Sequence, residues 1–408
     1  MVADLKLHWV LKDPGNERAV DPLGMGGQAE RIADMLLPDI SVATTRARYL
    51  SFFCWAIQET EGEARRLEML HRWEAALALK ECKLHPSANG EPQESPDCPD
   101  VVGIGKARRY LRDNRGKAPR RPETLYKTTA FSAYRPLMRS LGLLQVGREL
   151  RLTVTGTRLA RAYRSAGGKP PRCLSEIGGE ERSQIRKLLG LDLRTQCHGN
   201  QESRRKTYEQ IRNAFAKSSS HEAVHTTILW SYRAFPAREG VARHIHRAYA
   251  WETLSLGLSL AFAMILKERG KSMLPVVFAL RRALRGRPRV PELDRLPNGM
   301  LSPNDDRAAA SVVALLREAR RLNIRDLALD QGPHDIAACL VKQHTPEEFT
   351  RKLIRWHEQV KAGEAWVTLQ KDRVKIQAPE KSRTFSVRTR TYRLDAFRQL
   401  VDDLGMLP

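Results

Sequence analysis

Apolar residues recur three or four positions apart along most of the chain, and this spacing predicts a mainly α-helical protein. The predicted helices cover 26–37, 43–60, 64–83, 178–189, 203–217, 220–234, 238–268, 272–285, 303–322 and 333–343. The helix at 303–322 is expected to start at Ser302 and Pro303, a capping residue followed by a first-turn proline. One face of the second helix carries Tyr49, Phe52, Phe53 and Ile57. Such aromatic residues could stack on bases, but the pattern is more typical of a helix packed into a core.

The C-terminal pattern includes strands as well as helices. Thr345 and Glu348 have the spacing of a capping box, which predicts a helix from there to about residue 360. Alternating apolar and polar residues then predict a hairpin at 365–377 and a strand at 385–392, and a last helix follows.

A stretch rich in proline, serine and acidic residues, 84–100, is typical of a linker or an exposed loop. The pattern therefore predicts a multi-domain helical protein with a small α+β segment at its C-terminus. The predicted domains are an N-terminal helical domain at 1–100, a basic domain at 101–172, a helical domain at 173–344 and the α+β domain at 345–408.

Positive charge is concentrated in two parts of the chain. The whole sequence has a formal net charge of +23. Residues 106–172 hold 18 Lys and Arg against three acidic residues, a net of +15, and residues 351–393 hold 12 against four, a net of +8. Because a generic solvated surface would spread its charge, this localisation favours an anionic partner such as nucleic acid.

Within the first basic window, 131–142 predicts a short helix with Tyr134, Leu137, Met138 and Leu141 toward a core. The next residues predict two short strands joined by a turn at Gly147 and Arg148, and then "LTxxG" at 152–156 leads into a helix at 157–163. This order resembles the recognition helix and wing of a winged helix-turn-helix domain, covering about 101–165.

The resemblance implies that Arg135 and Arg139 face base edges of duplex DNA, while Arg148 and Arg151 contact its backbone. Pro136 departs from the family pattern, since a proline is expected to shorten the helix or to lie in its first turn. A winged helix used for protein contact, with solvated arginines, is the alternative interpretation.

The candidate DNA-binding residues share a basic or hydroxyl side chain and a predicted exposed position. In the first window they are Arg108, Arg109, Arg112, Arg120, Arg121, Lys127, Ser132, Arg135, Arg139, Arg148 and Arg151. Arg388 and Arg390 are added from the strand at 385–392, where outward-pointing arginines could follow a phosphate backbone or protect an edge strand from aggregation.

Residues 221–225 spell HExxH, the helical motif that holds zinc in many metallopeptidases. His221 and His225 would be the ligands and Glu222 the general base. However, both histidines continue the apolar stripe of their own predicted helix, and the preceding residues are a basic helical run rather than a strand. A zinc peptidase is therefore the alternative function, and the favoured interpretation needs no metal and no other cofactor.

Six scattered cysteines, the lack of a signal-peptide pattern and a longest apolar stretch of only 254–266 predict a cytoplasmic protein without a membrane partner. Residues 10–60 resemble uncharacterised bacterial proteins of mobile-element and phage-defence gene clusters. The sequence thus predicts a DNA-binding, non-catalytic subunit that grips duplex DNA and works with other proteins, in antiviral defence. A protein-interaction scaffold remains a further alternative.

Overall fold

The fold is known from a computed structural model. It describes residues 21–41, 43–84, 101–117, 130–145, 147, 149–166, 171, 174, 177–191, 200–217, 241–268, 272–289, 300–301, 307–322, 331–343, 345–362, 364–370, 373–376, 387–388 and 392–407.

The described residues form a mainly helical protein with a few short strands, which confirms the predicted fold class. The helices are α1 (Gly26–Leu36), α2 (Arg48–Glu59), α3 (Arg66–Leu84), α4 (Ile104–Asp113), α5 (Ala130–Ser140), α6 (Val154–Ser165), α7 (Gly179–Leu188), α8 (Asn200–Lys217), α9 (Val241–Lys267), α10 (Leu274–Arg285), α11 (Ala308–Arg321), α12 (Gln331–Gln343), α13 (Pro346–Val360) and α14 (Leu394–Asp403). The strands are β1 (Met300–Leu301), β2 (Val367–Gln370), β3 (Arg373–Ile376) and β4 (Val387–Arg388).

The strands form two antiparallel pairs. The predicted hairpin is confirmed as β2 and β3, in register from Val367 opposite Ile376 to Gln370 opposite Arg373. β4 pairs with β1 over two residues, and of the strand predicted at 385–392 only 387–388 and 392 belong to the described residues.

The chain divides into two compact units, and the boundaries of the four predicted domains stay a prediction. The first unit takes its described residues from Leu37–Ala223 and Arg393–Pro408, and it contains α2 to α8 and α14. The second takes its described residues from Arg18–Leu36 and Val224–Tyr392, and it contains α1, α9 to α13 and the strands. Helices on both sides of 84–100 lie in the first unit, where α3 packs against α4.

The core of the first unit is built around α2, in which every residue from Arg48 to Ile57 is buried. Its aromatic face is confirmed as a core face, since Tyr49, Phe52 and Phe53 contact one another and none is more than 1% exposed. The one buried charge of this helix, Arg48, pairs with the buried carboxylate of Glu181 at 3.2 Å. This pairing compensates for the burial of both charges.

The second unit is built around α9, which packs against α11, where Gly257 allows close approach to Leu316. By length and composition, Ala242–Lys267 could cross a membrane, although the sequence predicted no stretch long enough. Its most apolar window is 89% buried inside the protein, as in the core helix of many soluble proteins. This helix is therefore weak support for a membrane span, and the location of the protein stays a prediction.

The helix predicted from Thr345 to about residue 360 is confirmed as α13, with Thr345 at its N-cap. The predicted cap at Ser302 and Pro303 lies outside the described residues, and the described part of that helix is α11, which begins at Ala308 after Arg307. At the start of α13 the hydroxyl of Thr345 donates to the Glu348 carboxylate at 3.3 Å and caps no backbone N–H. The hydrogen bonds of the predicted capping box are therefore absent, although the helix begins where the sequence predicts it.

Candidate nucleic-acid interface

Helix α5 has the two faces that its sequence predicts. Its core face, Tyr134, Leu137 and Met138, is fully buried, and Leu141 just beyond the helix is buried as well. The opposite face has Ser132 and Arg139 exposed and Arg135 half-buried. The helix therefore displays two arginines on a rigid support.

The start of α5 is fixed by a carboxylate from α3. Glu74 accepts hydrogen bonds from the backbone N–H groups of Ala130, at 2.9 Å, and Phe131, at 3.1 Å. These are two of the N–H groups that a helix leaves without an internal partner. Burial raises the pKa of Glu74 to about 8, although the two hydrogen bonds act in the opposite direction. The orientation of α5 thus depends on a buried acidic group 56 residues earlier in the chain.

The middle of α5 is anchored by Tyr134. Its hydroxyl accepts from the backbone N–H of Arg46, at 2.8 Å, and donates to the carbonyl of the same residue, at 2.9 Å. Its ring lies 4.9 Å from that of Tyr49 and 5.9 Å from that of Phe53, measured between centroids. The helix is thereby held against the aromatic core of the first unit.

Pro136 lies in the interior of α5, so the expectation that it shortens the helix or lies in the first turn is wrong. The ring is exposed on the same side as Ser132 and Arg139. A proline in a helix removes one backbone hydrogen bond, and the buried contacts of Tyr134 and Leu137 stabilise the helix across that gap.

A short hairpin follows α5, as the winged-helix resemblance implies. Gly142 ends the helix with a φ of 68°, a conformation that glycine adopts readily. Leu144 and Leu152 then form an antiparallel bridge, and the N–H of Gln145 donates to the carbonyl of Arg151 at 2.9 Å. The tip between them includes Gly147, and the adjacent Arg148 lies outside the described residues.

The "LTxxG" residues explain how the hairpin joins α6. Thr153 donates from its hydroxyl to the carbonyl of Gly142, at 2.5 Å, and accepts at the same oxygen from the N–H of Gly156, at 3.1 Å. A Cβ at position 156 would lie 2.3 Å from the carbonyl oxygen of Leu143. The threonine therefore caps α6, which begins three residues earlier than predicted, and the glycine permits its close approach to the hairpin.

Helix α4 supplies a further basic surface. Arg109 and Arg112 are exposed, whereas Arg108 is half-buried and so offers less of its side chain. The remaining candidates of this segment, Arg120, Arg121 and Lys127, lie outside the described residues.

The candidate arginines differ in whether another group already holds them. Within the described part of the chain, Arg109, Arg135 and Arg139 have no hydrogen bond or ion pair. In contrast, Arg151 pairs with Glu149 at 2.6 Å and Arg112 pairs with Asp113 at 3.2 Å. Both pairs are well exposed and therefore contribute little, so an anionic ligand can displace them at small cost.

The sequence analysis missed two arginines on α6. Arg158 and Arg161 are exposed on the same side as Val154, which is 75% exposed, and they form no ion pair in the described residues. Arg158 follows Val154 by four residues and Arg161 follows Arg158 by three, and this spacing would have identified the face, had the helix start been placed at the threonine cap.

Three other predicted features lie partly or wholly outside the described residues. Arg388 belongs to β4, but its side chain is not described, and Arg390 is outside. The HExxH motif, with His221, Glu222 and His225, is also outside. Among the residues that the structure does describe, no three His, Cys, Asp or Glu side chains are grouped closely enough to hold a metal ion. The zinc alternative is therefore untested.

Comparison with known proteins adds no relative to this picture. No protein-family model, no curated protein and no solved structure matches the chain.

Proposed function

We propose that this protein binds duplex DNA through α5, the hairpin that follows it and the basic residues of α4 and α6. It acts as a non-catalytic subunit of a larger nucleoprotein complex. The resemblance of residues 10–60 to proteins of phage-defence gene clusters is the basis for placing that complex in bacterial antiviral defence, in the cytoplasm.

The observation that carries the proposal is the pair Arg135 and Arg139 on the exposed side of a helix whose other side is locked in the core. Neither guanidinium is neutralised by a partner in the described residues. A helix held in this way can enter the major groove without reorganising, so little ordering entropy opposes binding.

The hairpin adds the second element of the grip. A wing of this size places its basic tip against phosphates beside the groove that the helix occupies. Phosphate contacts from Arg109, Arg151 and the α6 arginines supply affinity without sequence preference, because each releases condensed counterions from the DNA. Any sequence preference must then come from α5.

The deciding experiment is a fluorescence-anisotropy titration of a labelled 30-base-pair duplex at two salt concentrations. The double variant Arg135→Glu/Arg139→Glu should lower duplex affinity by about 100-fold or more and should flatten its dependence on salt. The wild-type protein should lose affinity steeply as salt is raised.

The matched control is Arg65→Glu/Lys187→Glu, which changes the net charge equally on exposed residues of the same unit. It should bind within about threefold of wild type, because these side chains lie on α7 and just before α3 and not on the proposed interface. An equal loss of duplex affinity in both double variants would show that binding depends on total charge and not on the proposed interface. Unchanged binding by the α5 variant would contradict the proposal and favour the protein-interaction scaffold.

A further inference from the structure

Helix α10 in the second unit has an unusual exposed face. Val276, Val277 and Leu280 are buried against the rest of the unit. The other side carries, within one narrow stripe, the exposed residues Leu274, Phe278, Arg281, Arg282 and Arg285. An apolar and cationic stripe of this kind is not needed to fold the helix, since its buried side already packs.

Phe278 is the central feature of this stripe. It is 53% exposed, and every other aromatic residue in the described part of the chain has a smaller exposed share. The guanidinium of Arg281 lies 5.8 Å from the centre of its ring and also pairs with Glu347. The guanidinium thus lies over one side of the ring, and just over half of the side chain stays exposed to solvent, as in a platform for a flat ligand.

Arginines continue the stripe beyond the end of the helix. Arg282, Arg285, Arg287 and Arg289 are all exposed, and none has a hydrogen bond or ion pair within the residues that the structure describes. Residues 281–289 contain five arginines and no acidic residue. Such a density of like charge is unfavourable without an anionic partner.

The backbone that carries these arginines is held in place. Arg317 of α11 donates to the carbonyls of Leu284, at 3.0 Å, and Gly286, at 3.2 Å, which are end groups that a helix leaves unsatisfied. The guanidinium also offsets the negative end of the helix dipole. The helix end therefore leads into the arginine segment from a fixed point.

We propose that this surface, Phe278 with Arg282, Arg285, Arg287 and Arg289, binds single-stranded nucleic acid. A base stacks on the open face of Phe278, and the arginines follow the phosphates of the same strand. The combination of an exposed aromatic ring with a cationic track favours a single strand, because the bases of a duplex are already stacked on each other and present no free face.

The test uses the full-length protein and a fluorescein-labelled 30-residue oligothymidylate, with fluorescence anisotropy as the readout. Phe278→Ala should weaken binding about tenfold, and Phe278→Trp should restore it, with its added indole fluorescence quenched on binding. Arg282→Glu/Arg285→Glu should weaken binding by at least about 50-fold and reduce the salt dependence. Because these side chains are exposed, their replacement should leave the thermal unfolding midpoint within about 2 °C of wild type.

Two control variants match the changes in size and charge. Leu67→Ala removes an exposed apolar side chain from α3, and Arg243→Glu/Lys267→Glu reverses two exposed charges on α9. Both should bind the oligothymidylate within about threefold of wild type. A loss equal to that of Phe278→Ala in the leucine variant would overturn the stacking role.

Other occupants of the surface would give different results. Equal binding by wild type and Phe278→Ala, with duplex affinity lost in the double arginine variant, would overturn the single-strand proposal in favour of duplex phosphates. Binding to phosphatidylserine vesicles without any to the oligothymidylate would overturn it in favour of a membrane surface. The inference does not rest on the proposed role of α5, since Arg135→Glu/Arg139→Glu should leave oligothymidylate binding within about threefold, whether or not duplex binding is lost.

Discussion

Helices α5 and α10 both carry exposed arginines, and they differ in the other residues on their exposed sides. Each is a helix of about three turns with one side buried in a core and arginines on the other. On the exposed side of α5 the neighbours are Ser132 and Pro136, whereas on α10 they are Leu274 and the aromatic Phe278. A hairpin follows α5, and an arginine-rich segment follows α10.

The difference teaches that positive charge identifies the class of partner but not its form. Arginines attract any phosphate backbone, so the charge alone does not separate the two helices. An exposed aromatic ring adds affinity only where a base face is accessible, which favours single strands. A smooth helix beside a wing suits the groove of a duplex instead.

The largest expected effect is that charge reversal on each helix weakens binding to one probe and leaves binding to the other nearly unchanged. Arg135→Glu/Arg139→Glu should cost about 100-fold in duplex affinity and little in oligothymidylate affinity, and Arg282→Glu/Arg285→Glu should do the reverse. Anisotropy titrations of both variants on both probes measure the four affinities. If either variant lost affinity equally for both probes, the two helices would form one shared site. The proposed division into a duplex site and a single-strand site would then be wrong.

A second prediction concerns the close packing of α6 against the hairpin that follows α5. Gly156→Ala should destabilise the first unit by about 1–3 kcal/mol, because the added methyl would lie 2.3 Å from the Leu143 carbonyl oxygen. Urea denaturation measures the change. The control is Gly105→Ala in α4, where nothing lies within 4 Å of the new methyl and stability should be equal or slightly higher. Similar losses in both variants would show that close packing at the hairpin is unimportant.

A third prediction concerns pH. Burial raises the pKa of Glu74 from its ordinary value of 4.5 to about 8, so the folded protein binds this proton more tightly than the unfolded chain. Its contribution is complete below about pH 4.5 and is lost as pH rises through about 8, at up to about 1.4 kcal/mol per pH unit. Hydrogen exchange of peptides from α5, compared between wild type and Glu74→Gln at pH 6 and pH 9, measures this. Protection in the glutamine variant should change less between the two pH values; an equal change would contradict the assignment.

The smallest expected effect lies in the second unit and has the opposite sign. The buried ring of His357 donates from Nδ1 to the Pro22 carbonyl, at 2.7 Å, and accepts at Nε2 from the N–H of Trp366, at 2.9 Å. Burial lowers its pKa below the ordinary 6.5, so its contribution is complete above that pH and is lost as pH falls through 6.5 toward the lower folded value.

Hydrogen exchange of α13 peptides at pH 7 and pH 5 should therefore show a loss of protection in wild type that is smaller in His357→Gln. Peptides from α5 serve as the internal control, because the histidine belongs to the second unit. If the wild-type protein lost protection at pH 5 only in α5 peptides, the assignment of this pH effect to His357 in the second unit would be wrong.

The faces of α5, the hairpin and the start of α6 are determined by local sequence patterns. The buried and exposed sides of α5 follow from apolar spacing, because a helix places residues three and four apart on one side. The hairpin and the α6 cap follow from Gly142, Thr153 and Gly156, whose conformational and hydrogen-bonding roles are local.

The remaining features depend on contacts that are distant in sequence. The cap of α5 comes from Glu74 and its clamp from Arg46, 88 residues before Tyr134, and no local pattern indicates either. Pro136 is tolerated inside the helix for the same reason, since tertiary contacts outweigh its local preference. The surface on α10 was missed because acidic residues elsewhere in the chain offset its five arginines in the sum of charges.

Because of the hydrogen bonds of Thr153, the base of the hairpin is held independently of the hairpin tip. They close the base of the hairpin and attach it to both flanking helices, and none of the described residues between Gln145 and Arg151 takes part in these bonds. Lengthening the tip then adds only a small loop-closure entropy, which grows slowly with length. The tip is thus a natural place for exchanging short peptide segments to reprogramme the backbone contacts of the wing while α5 stays as it is.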